Sequence, residues 1–317
     1  MTASVSSSTP SPPSRPGAGI RRRSALGRLA RVEWLWGVIF AAPAVVLVGL
    51  FVAYPLGTVI YYGFTRWNGL SPAEWVGFHN YRVLASDPVF RTALRNNFLF
   101  ALSVPIQMTL PLGLAYLIHM RITGWSFFRA TFFIPATIAT VVVGIVAYST
   151  FQVSGALNAL LGAVGLHSLE HNWLASAHTS IPLILLVVVW ANFGYNVLIY
   201  LAGMAALDPA LEEAARMDGA RAWRILISVV APNLRRVMEL VLVTSTVTAF
   251  AYMFTYIYVI TNGGPGFDTN VAEFQIYYQW FTNGNAGYAC AMATVLLLIT
   301  MLLGMIQIRV LTRRAEG

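Results

Sequence analysis

The chain has 317 residues, 57% of them hydrophobic and 10% charged, with a formal net charge of +8. A soluble domain of average composition carries roughly 25% charged residues, so this composition argues against a soluble protein and predicts a chain that crosses a membrane several times. Every one of the 20 basic residues is an arginine, which excludes a Walker A phosphate loop because that motif requires a lysine. A single cysteine, Cys290, excludes an internal disulfide and a cysteine-based metal site.

Residues 1–34 differ in composition from the rest of the chain. They are rich in serine and proline at first and in arginine afterwards, a pattern typical of disordered segments. A signal peptide is the alternative, but the first apolar stretch exceeds the roughly 7–15 residues of the hydrophobic region in such a peptide and lacks a small-residue cleavage site. We therefore expect residues 1–34 to form a disordered basic tail in the cytoplasm, and residues 35–317 to form a transmembrane domain.

Six apolar stretches are long enough to cross the bilayer core as helices, which takes about 20 residues each. Backbone exposed to lipid must satisfy its own hydrogen bonds, which leaves the helix as the suitable form. The predicted fold is therefore an all-α polytopic membrane protein with about six transmembrane helices. The stretches are residues 37–62, 97–119, 130–151, 180–203, 237–260 and 287–309.

The arginines are distributed unevenly between the two sides that these spans define. With the amino terminus in the cytoplasm, 16 of the 20 arginines lie inside and 4 outside, in agreement with the positive-inside rule. Orientation therefore explains the positive charge, and we do not expect nucleic acid as a partner. We predict a multi-pass protein of the plasma (inner) membrane, in contact with its lipid and with both termini in the cytoplasm.

The cytoplasmic loop over residues 207–232 concentrates charge in a chain that has little. Asp208 before Pro209 is a helix-start signal, because the carboxylate caps the helix and proline suits its first position. Glu212 and Glu213 follow near the positive end of that helix. Gly219 is the expected stop.

A second short helix is predicted from about Ala220. Its apolar residues Trp223, Leu226, Ile227 and Val230 recur at helical spacing on one face, and Pro232 marks its end or a kink. One alternative is an amphipathic connector that rests on lipid headgroups. The acidic cluster argues against that alternative, because anionic headgroups repel carboxylates. A mixed-charge pair of helices with a glycine elbow suits a protein partner better.

The loop resembles the E-A-A…D-G-A…W…P signature of permease subunits in binding-protein-dependent ABC importers. Four other stretches resemble the sugar-importer branch (the maltose/glycerol-3-phosphate type): FVAYPLGTVIYYGFTRW, VGFHNYRVLASDPVFRTALRNN, FFRATFFIP and ITNGGPGFDT. Two positions depart from the family pattern, with Arg236 at the place of a second proline and Leu226 at the place of an aromatic residue. The residues that carry the signature are Glu213, Ala214, Ala215, Asp218, Gly219, Ala220, Trp223 and Pro232.

The resemblance implies that these loop residues form coupling helices, which dock into a separate ATPase subunit. Glu213 is expected to pair with basic groups of the ATPase, and Ala214 and Ala215 to allow close approach. The implied partners are a second permease subunit as a heterodimer, an ATP-binding subunit dimer and an extracytoplasmic solute-binding protein. ATP would be bound by the partner, and no cofactor is expected in this chain. The implied solute is a sugar or a related neutral solute, with glycerol-3-phosphate or another polar solute as the alternative.

Polar side chains inside the predicted spans are candidates for the solute path, because intramembrane polarity usually faces a bundle interior or a cavity. Amides, hydroxyls and aromatic rings suit a neutral polyol. The alternative is hydrogen bonding between helices, which Thr, Asn and Gln also perform. The candidates are Gln107, Asn192, Tyr195, Asn196, Thr248, Tyr252 and Tyr256.

Two other function classes are weighed against transport by an ABC importer. His167, Glu170 and His171 match H-x-x-E-H, which serves zinc peptidases when it lies on a helix; here glycines precede it in a loop, so a membrane enzyme is a remote alternative and no metal is expected. A stand-alone secondary transporter should show internal repeats or ionisable groups at the membrane midplane, and the sequence shows neither. The glycine-rich run 262–266 is predicted to form a tight external turn.

Overall fold

The computed structural model describes residues 37–121 and 124–313. These residues divide into two units, one over residues 37–58 and one over residues 59–313. The predicted tail over residues 1–34 lies outside the described residues. The structure is helical almost throughout, with one two-stranded antiparallel pairing in which Thr65 faces Trp75 and Arg66 faces Glu74.

The helices of the first half alternate with short turns. They are α1 (Gly37–Tyr62), α2 (His79–Ser86), α3 (Pro88–Ala101), α4 (Val104–His119), α5 (Trp125–Thr137), α6 (Thr140–Phe151) and α7 (Ala156–Ala163), with strands β1 (Thr65–Arg66) and β2 (Glu74–Trp75) after α1. The second half contains α8 (Ala177–Met204), α9 (Pro209–Met217), α10 (Ala222–Ile225), α11 (Ala231–Asn233), α12 (Arg235–Ala251), α13 (Phe254–Ile260), α14 (Ala272–Tyr277) and α15 (Ala286–Arg313).

The predicted all-α membrane architecture is confirmed. Five stretches of the described residues are long and apolar enough to cross a membrane, and a sixth is obtained if α12 and α13 form one bent span. The five stretches are Gly37–Tyr62, Pro88–His119, Thr140–Ala163, Ala177–Met204 and Ala286–Val310.

Three of the predicted spans differ from the structure in their bounds. The second begins at Pro88 rather than at residue 97, because polar residues of α3 concealed its start. The third is divided: Pro135 lies in the last turn of α5, and the chain is extended at Ile138 before α6 begins. Proline lacks an N–H and clashes with the preceding turn, which favours such an end. The fifth is broken between α12 and α13, which are bent by 47°.

Several helices of the unit over residues 59–313 pack closely against one another. α8 contacts α4 and α5, and α6 contacts α13. Two glycines allow these approaches: a β-carbon at Gly194 would collide with the Phe132 carbonyl, and one at Gly144 would lie 2.9 Å from Val259. Small residues serve the same purpose in other membrane bundles, where backbones must come close to gain van der Waals contact.

The buried core near the loop over residues 207–232 joins α4, α8, α10 and α12. Tyr200, Met204, Ile225, Val230 and Leu234 are almost completely buried there. The loop is therefore anchored on the ends of the long helices, and a displacement of the loop acts on them directly.

Candidate functional site

The first loop helix begins as the sequence predicts. The Asp208 carboxylate accepts a hydrogen bond from the Ala210 N–H at 3.0 Å, and Pro209 occupies the first turn. The helix ends at Met217, and Gly219 follows with φ +77°. A β-carbon at Gly219 would meet no atom within 4 Å, so the need for glycine comes from the left-handed backbone alone.

The second loop helix differs from the prediction in its start and in its buried face. It begins at Ala222, and the π turn Leu226–Val230 precedes Pro232. Because a π turn adds a residue to the helical repeat, the buried positions are Ile225, Val230 and Leu234.

The predicted apolar face is therefore wrong in part. Trp223 is 62% exposed and Ile227 is 61% exposed, whereas Leu226 is half-buried and Val230 is buried. Pro232 lies one residue before the end of the helix at Asn233, in agreement with the predicted end or kink. The π turn was not predictable from periodicity, because a one-residue insertion leaves most local spacings unchanged.

The loop exposes acidic, basic and apolar side chains, with Arg216, Arg221 and Arg224 among the exposed residues. Glu213, Ala214, Asp218 and Gly219 are exposed, while Ala215 and Ala220 are partly buried. Met217 is 88% exposed. We name this surface the loop face and define it by seven of its exposed residues: Leu211, Glu213, Ala214, Met217, Asp218, Trp223 and Ile227.

Glu212 is a residue whose role sequence reasoning missed. It is 6% exposed, and its carboxylate lies 3.1 Å from His119 Nε2 and 3.3 Å from Arg216 Nη2. His119 is the last residue of α4. The contact therefore ties the first loop helix to the end of the second span. The sequence could not indicate this contact, because residues 119 and 212 are far apart along the chain.

A polar groove of about 460 Å³ lies between α8, the start of α6 and the broken fifth span. Its residues carry hydroxyl, amide or phenol groups together with two valines, and none carries a charge. The lining residues are Thr140, Asn192, Tyr195, Val243, Thr244, Val247, Thr248, Tyr252, Thr255 and Tyr256. Five of the seven predicted path residues are thus brought together.

The other two predicted path residues lie away from the groove. Gln107 and Asn196 are 1% and 2% exposed. Gln107 Nε2 donates to Ser103 Oγ at 2.8 Å, and Asn196 Nδ2 donates to the Gln107 carbonyl at 3.2 Å. These contacts are hydrogen bonds within and between helices, which is the alternative role of amide side chains in membrane spans.

Tyr252 lies at the break of the fifth span. It has φ −125° and ψ 12°, which ends α12, and its side chain is 66% exposed in the groove. Tyr195 of α8 is 53% exposed and also lines the groove. Broken helices occur in membrane proteins where irregular backbone lines a cavity, and the groove is such a place.

The loop between the fifth and sixth spans is held by asparagines. The predicted tight turn is confirmed, with left-handed backbone at Asn262, Gly263 and Gly266. Asn96 Nδ2 donates to the carbonyls of Asp268 and Asn270 at 2.7 and 2.8 Å. Sequence reasoning did not identify Asn96 as the residue that fixes this loop.

The H-x-x-E-H string does not form a metal site in the described part of the chain. His167 Nδ1 lies 2.8 Å from Glu170 Oε1. The His171 ring packs on Trp173 at 3.8 Å, and its Nδ1 lies 3.1 Å from the Leu169 carbonyl. Over residues 37–121 and 124–313, no three His, Cys, Asp or Glu side chains converge as metal ligands would.

Residues 82–317 match the family described as "Binding-protein-dependent transport system inner membrane component". A probable ABC transporter permease protein of Pyrococcus horikoshii is 34% identical, over 83% of this chain and 91% of its own. The diacetylchitobiose uptake system permease protein of Streptomyces coelicolor is 31% identical, over 95% and 87%.

A solved structure has the same fold. It is the crystal structure of a bacterial ABC transporter involved in the import of the acidic polysaccharide alginate. The TM-score is 0.78 with 20% sequence identity, and the similarity covers 91% of this chain and 99% of that chain. At this level of identity the comparison supports the fold alone.

Proposed function

The chain belongs to the family of inner membrane components of binding-protein-dependent transport systems, and we propose that it is the permease subunit that carries a neutral sugar through an ABC importer. The single observation that supports this solute class is the polar groove. Its hydroxyls and amides provide hydrogen bonds, and its tyrosine rings provide flat apolar surface for the carbon–hydrogen face of a sugar. Pockets that bind small solutes combine these two features.

The groove also favours a neutral solute over glycerol-3-phosphate. Recognition of a phosphate ester uses arginine or lysine, or backbone N–H groups at a helix end. None of the side chains that line the groove is basic. A dianion would lose its hydration there without a counter-charge, at a cost that hydroxyl groups offset only in part.

We propose that the loop face docks into the ATPase subunit. Its exposed Glu213 offers a carboxylate to basic groups, and Trp223 and Met217 offer apolar area of the kind that dominates interface energetics. The surrounding residues of the loop are anchored on α4, α8 and α12. A closing ATPase dimer would therefore move the ends of three helices together.

The assembly and its orientation complete the proposal. The chain is a membrane protein of a transport family; we propose that it pairs with a second, different permease, with both termini and the loop face on the ATPase side. The solute-binding protein would deliver solute at the opposite end, where the loop held by Asn96 lies. The chain is a transport subunit, and we propose that it catalyses no reaction itself.

Reconstitution tests this function. The chain is co-expressed with its candidate permease partner, a Walker A ATPase and the binding protein, and incorporated into proteoliposomes with a panel of neutral mono- and oligosaccharides. ATP-dependent uptake of a neutral sugar, with glycerol-3-phosphate excluded, is the expected result. Uptake of glycerol-3-phosphate in preference to every neutral sugar would overturn the solute class. Failure to co-purify with any ATPase would overturn the transport assignment.

A further inference from the structure

The break in the fifth span interrupts the helical ladder of main-chain hydrogen bonds, and one of the interrupted bonds would join two buried residues. In a continuous α-helix the Met253 N–H would donate to the Ala249 carbonyl, four residues earlier. The bridge-region backbone at Tyr252 separates these two groups. Both residues are buried, at 0% and 3% exposure, so neither group can be left without a partner at low cost.

Two side chains from distant parts of the sequence replace the missing bond. Asn97 Nδ2 donates to the Ala249 carbonyl at 2.8 Å, and the Met253 N–H donates to Glu273 Oε1 at 3.4 Å. Asn97 Nδ2 also donates to Glu273 Oε2 at 2.9 Å. The donor and acceptor of one broken helical bond are thus joined through a bridge of two side chains.

The bridge is itself fixed in place. Asn97 is completely buried on α3, and its Oδ1 accepts from the Ala272 N–H at 2.9 Å. Glu273 follows directly on α14, between the fifth and sixth spans. Desolvation by burial raises the pKa of the Glu273 carboxyl, while the hydrogen bonds from Asn97 and the Met253 N–H lower it. A desolvated carboxylate is costly to keep, which suggests a role beyond packing.

We propose that Asn97 and Glu273 are positioning residues that hold the 47° bend of the fifth span. The bend sets the direction of α13, and α13 carries Thr255 and Tyr256 into the wall of the groove. Without the bridge, the nearest available partner of the Met253 N–H is the Ala249 carbonyl, so these two groups form a helical hydrogen bond with each other. The span then straightens, and the wall of the groove moves.

The geometry gives the size of the expected movement. Tyr258 lies about six residues beyond the break, roughly 9 Å along α13. Straightening a bend of 47° therefore shifts it sideways by roughly 7 Å relative to α12. Distances between spin labels, measured by pulsed electron paramagnetic resonance in the assembled transporter, report this shift. Replacing the buried Cys290 by alanine removes the only native thiol.

The experiment uses two label pairs that share one reference. The reference is Val83, exposed on α2, which packs on α15. One pair joins Val83 to Tyr258 on α13 and the other joins Val83 to Leu240 on α12, and all three positions are at least 44% exposed. Whichever half of the span moves on straightening, at least one distance changes.

Asn97→Ala and Glu273→Ala are expected to change one of these distances by several ångströms. Asn96→Ala is the matched control: Asn96 is equally buried and its amide also donates two hydrogen bonds, but both go to carbonyls of the loop, those of Asp268 and Asn270. The control should leave both distances unchanged. Glu273→Gln keeps the side-chain volume and should produce a smaller change of the same kind if the alanine variants do not assemble.

Two results would overturn the proposal. In the first, both distances stay as in the parent when Asn97 or Glu273 is replaced, which would show that the bend is held by other contacts. In the second, Asn96→Ala changes the distances as much as Asn97→Ala, which would show a general loosening of the bundle. Neither readout depends on the identity of the solute, so the proposed sugar could be wrong while the bridge is right.

Discussion

Adjacent carboxylates on the first loop helix have different surroundings. Glu212 is buried between His119 and Arg216, whereas Glu213 is exposed on the loop face. The family signature singles out Glu213, but nothing in the sequence indicated that Glu212 is buried. The separation came from helical geometry, because residues one apart point about 100° away from each other.

This difference predicts that charge reversal lowers uptake at one position and thermal stability at the other. Glu213→Lys should leave membrane insertion and thermal unfolding unchanged, and should lower ATP-driven uptake because the docking carboxylate is lost. Glu212→Lys should lower the unfolding temperature, because a buried cation would face His119 and Arg216. Thermal unfolding of the purified chain and uptake in proteoliposomes measure both. Equal loss of stability in the two variants would contradict the assignment.

Gly219 gives a second prediction at the scale of one residue. A left-handed backbone costs a residue with a β-carbon about 1–2 kcal/mol, and a β-branched residue more. Gly219→Ala should therefore reduce coupled uptake moderately and Gly219→Val severely, with insertion intact. Gly304→Ala is the control, since a β-carbon at Gly304 also meets open space but its backbone has no positive φ. Normal uptake by the Gly219→Val variant would contradict the claim that coupling requires the left-handed backbone at residue 219.

At the scale of elements, local signals were predictive and long-range ones were not. The Asp208 cap and the Gly219 elbow depend on side chains within a few residues, so the sequence alone locates them. The π turn before Pro232 and the break at Tyr252 depend on what the helix packs against. The break requires Asn97 and Glu273, more than 150 residues apart along the chain, and no periodicity within α12 indicates it.

The corrected face of the second loop helix predicts which residue supports the fold. Ile225 is 2% exposed, and its truncation to alanine should cost roughly 2–5 kcal/mol, as for other buried aliphatic side chains. Trp223→Ala should leave thermal unfolding unchanged and weaken binding to the ATPase about tenfold or more, as loss of an exposed aromatic anchor does. If Trp223→Ala lowered the stability and Ile225→Ala did not, the buried face would be the one that periodicity predicts, and the correction would be wrong.

At the scale of the whole molecule, the loop lies along the chain between two of the helices that line the groove. α8 carries Asn192 and Tyr195 and ends at Met204, just before the loop; α12 begins just after the loop and carries Thr248. Tyr195 and Met204 are nine residues apart, roughly 14 Å along one uninterrupted helix. A push on the loop therefore reaches both walls of the groove through rigid elements.

This arrangement predicts separable effects on solute affinity and on coupling. Tyr195→Ala and Tyr252→Ala should raise the KM for uptake of the transported neutral sugar while ATP hydrolysis remains linked to transport, because the rings face the groove and not the loop. Gln107→Ala should instead lower stability, since the Gln107 side chain is buried and donates a hydrogen bond to Ser103 Oγ at the start of the same helix. Uptake kinetics and thermal unfolding of the three variants distinguish the roles. An unchanged KM in both tyrosine variants would remove them from the path.

Hydropathy was sufficient to predict the fold class, and capping and glycine signals were sufficient to predict the two short helices and the glycine turn of the loop over residues 207–232. The groove was predicted in part, since polar residues at helical spacing on α8 and along the broken fifth span indicated five of its members. Gln107 and Asn196 shared the same chemistry but face neighbouring helices, a difference that only packing decides. Glu273 stayed hidden because it lies outside every predicted span.

The central claim is that force from a separate ATPase enters this chain through the loop face. A cysteine at position 213 in a Cys290→Ala background, crosslinked in the assembled importer, tests it most directly. The account predicts a crosslink from residue 213 to the ATPase subunit and loss of uptake once the crosslink forms. Labelling of that cysteine by an impermeant reagent from the outside, or full uptake with no crosslink to the ATPase at any stage of the cycle, would contradict it.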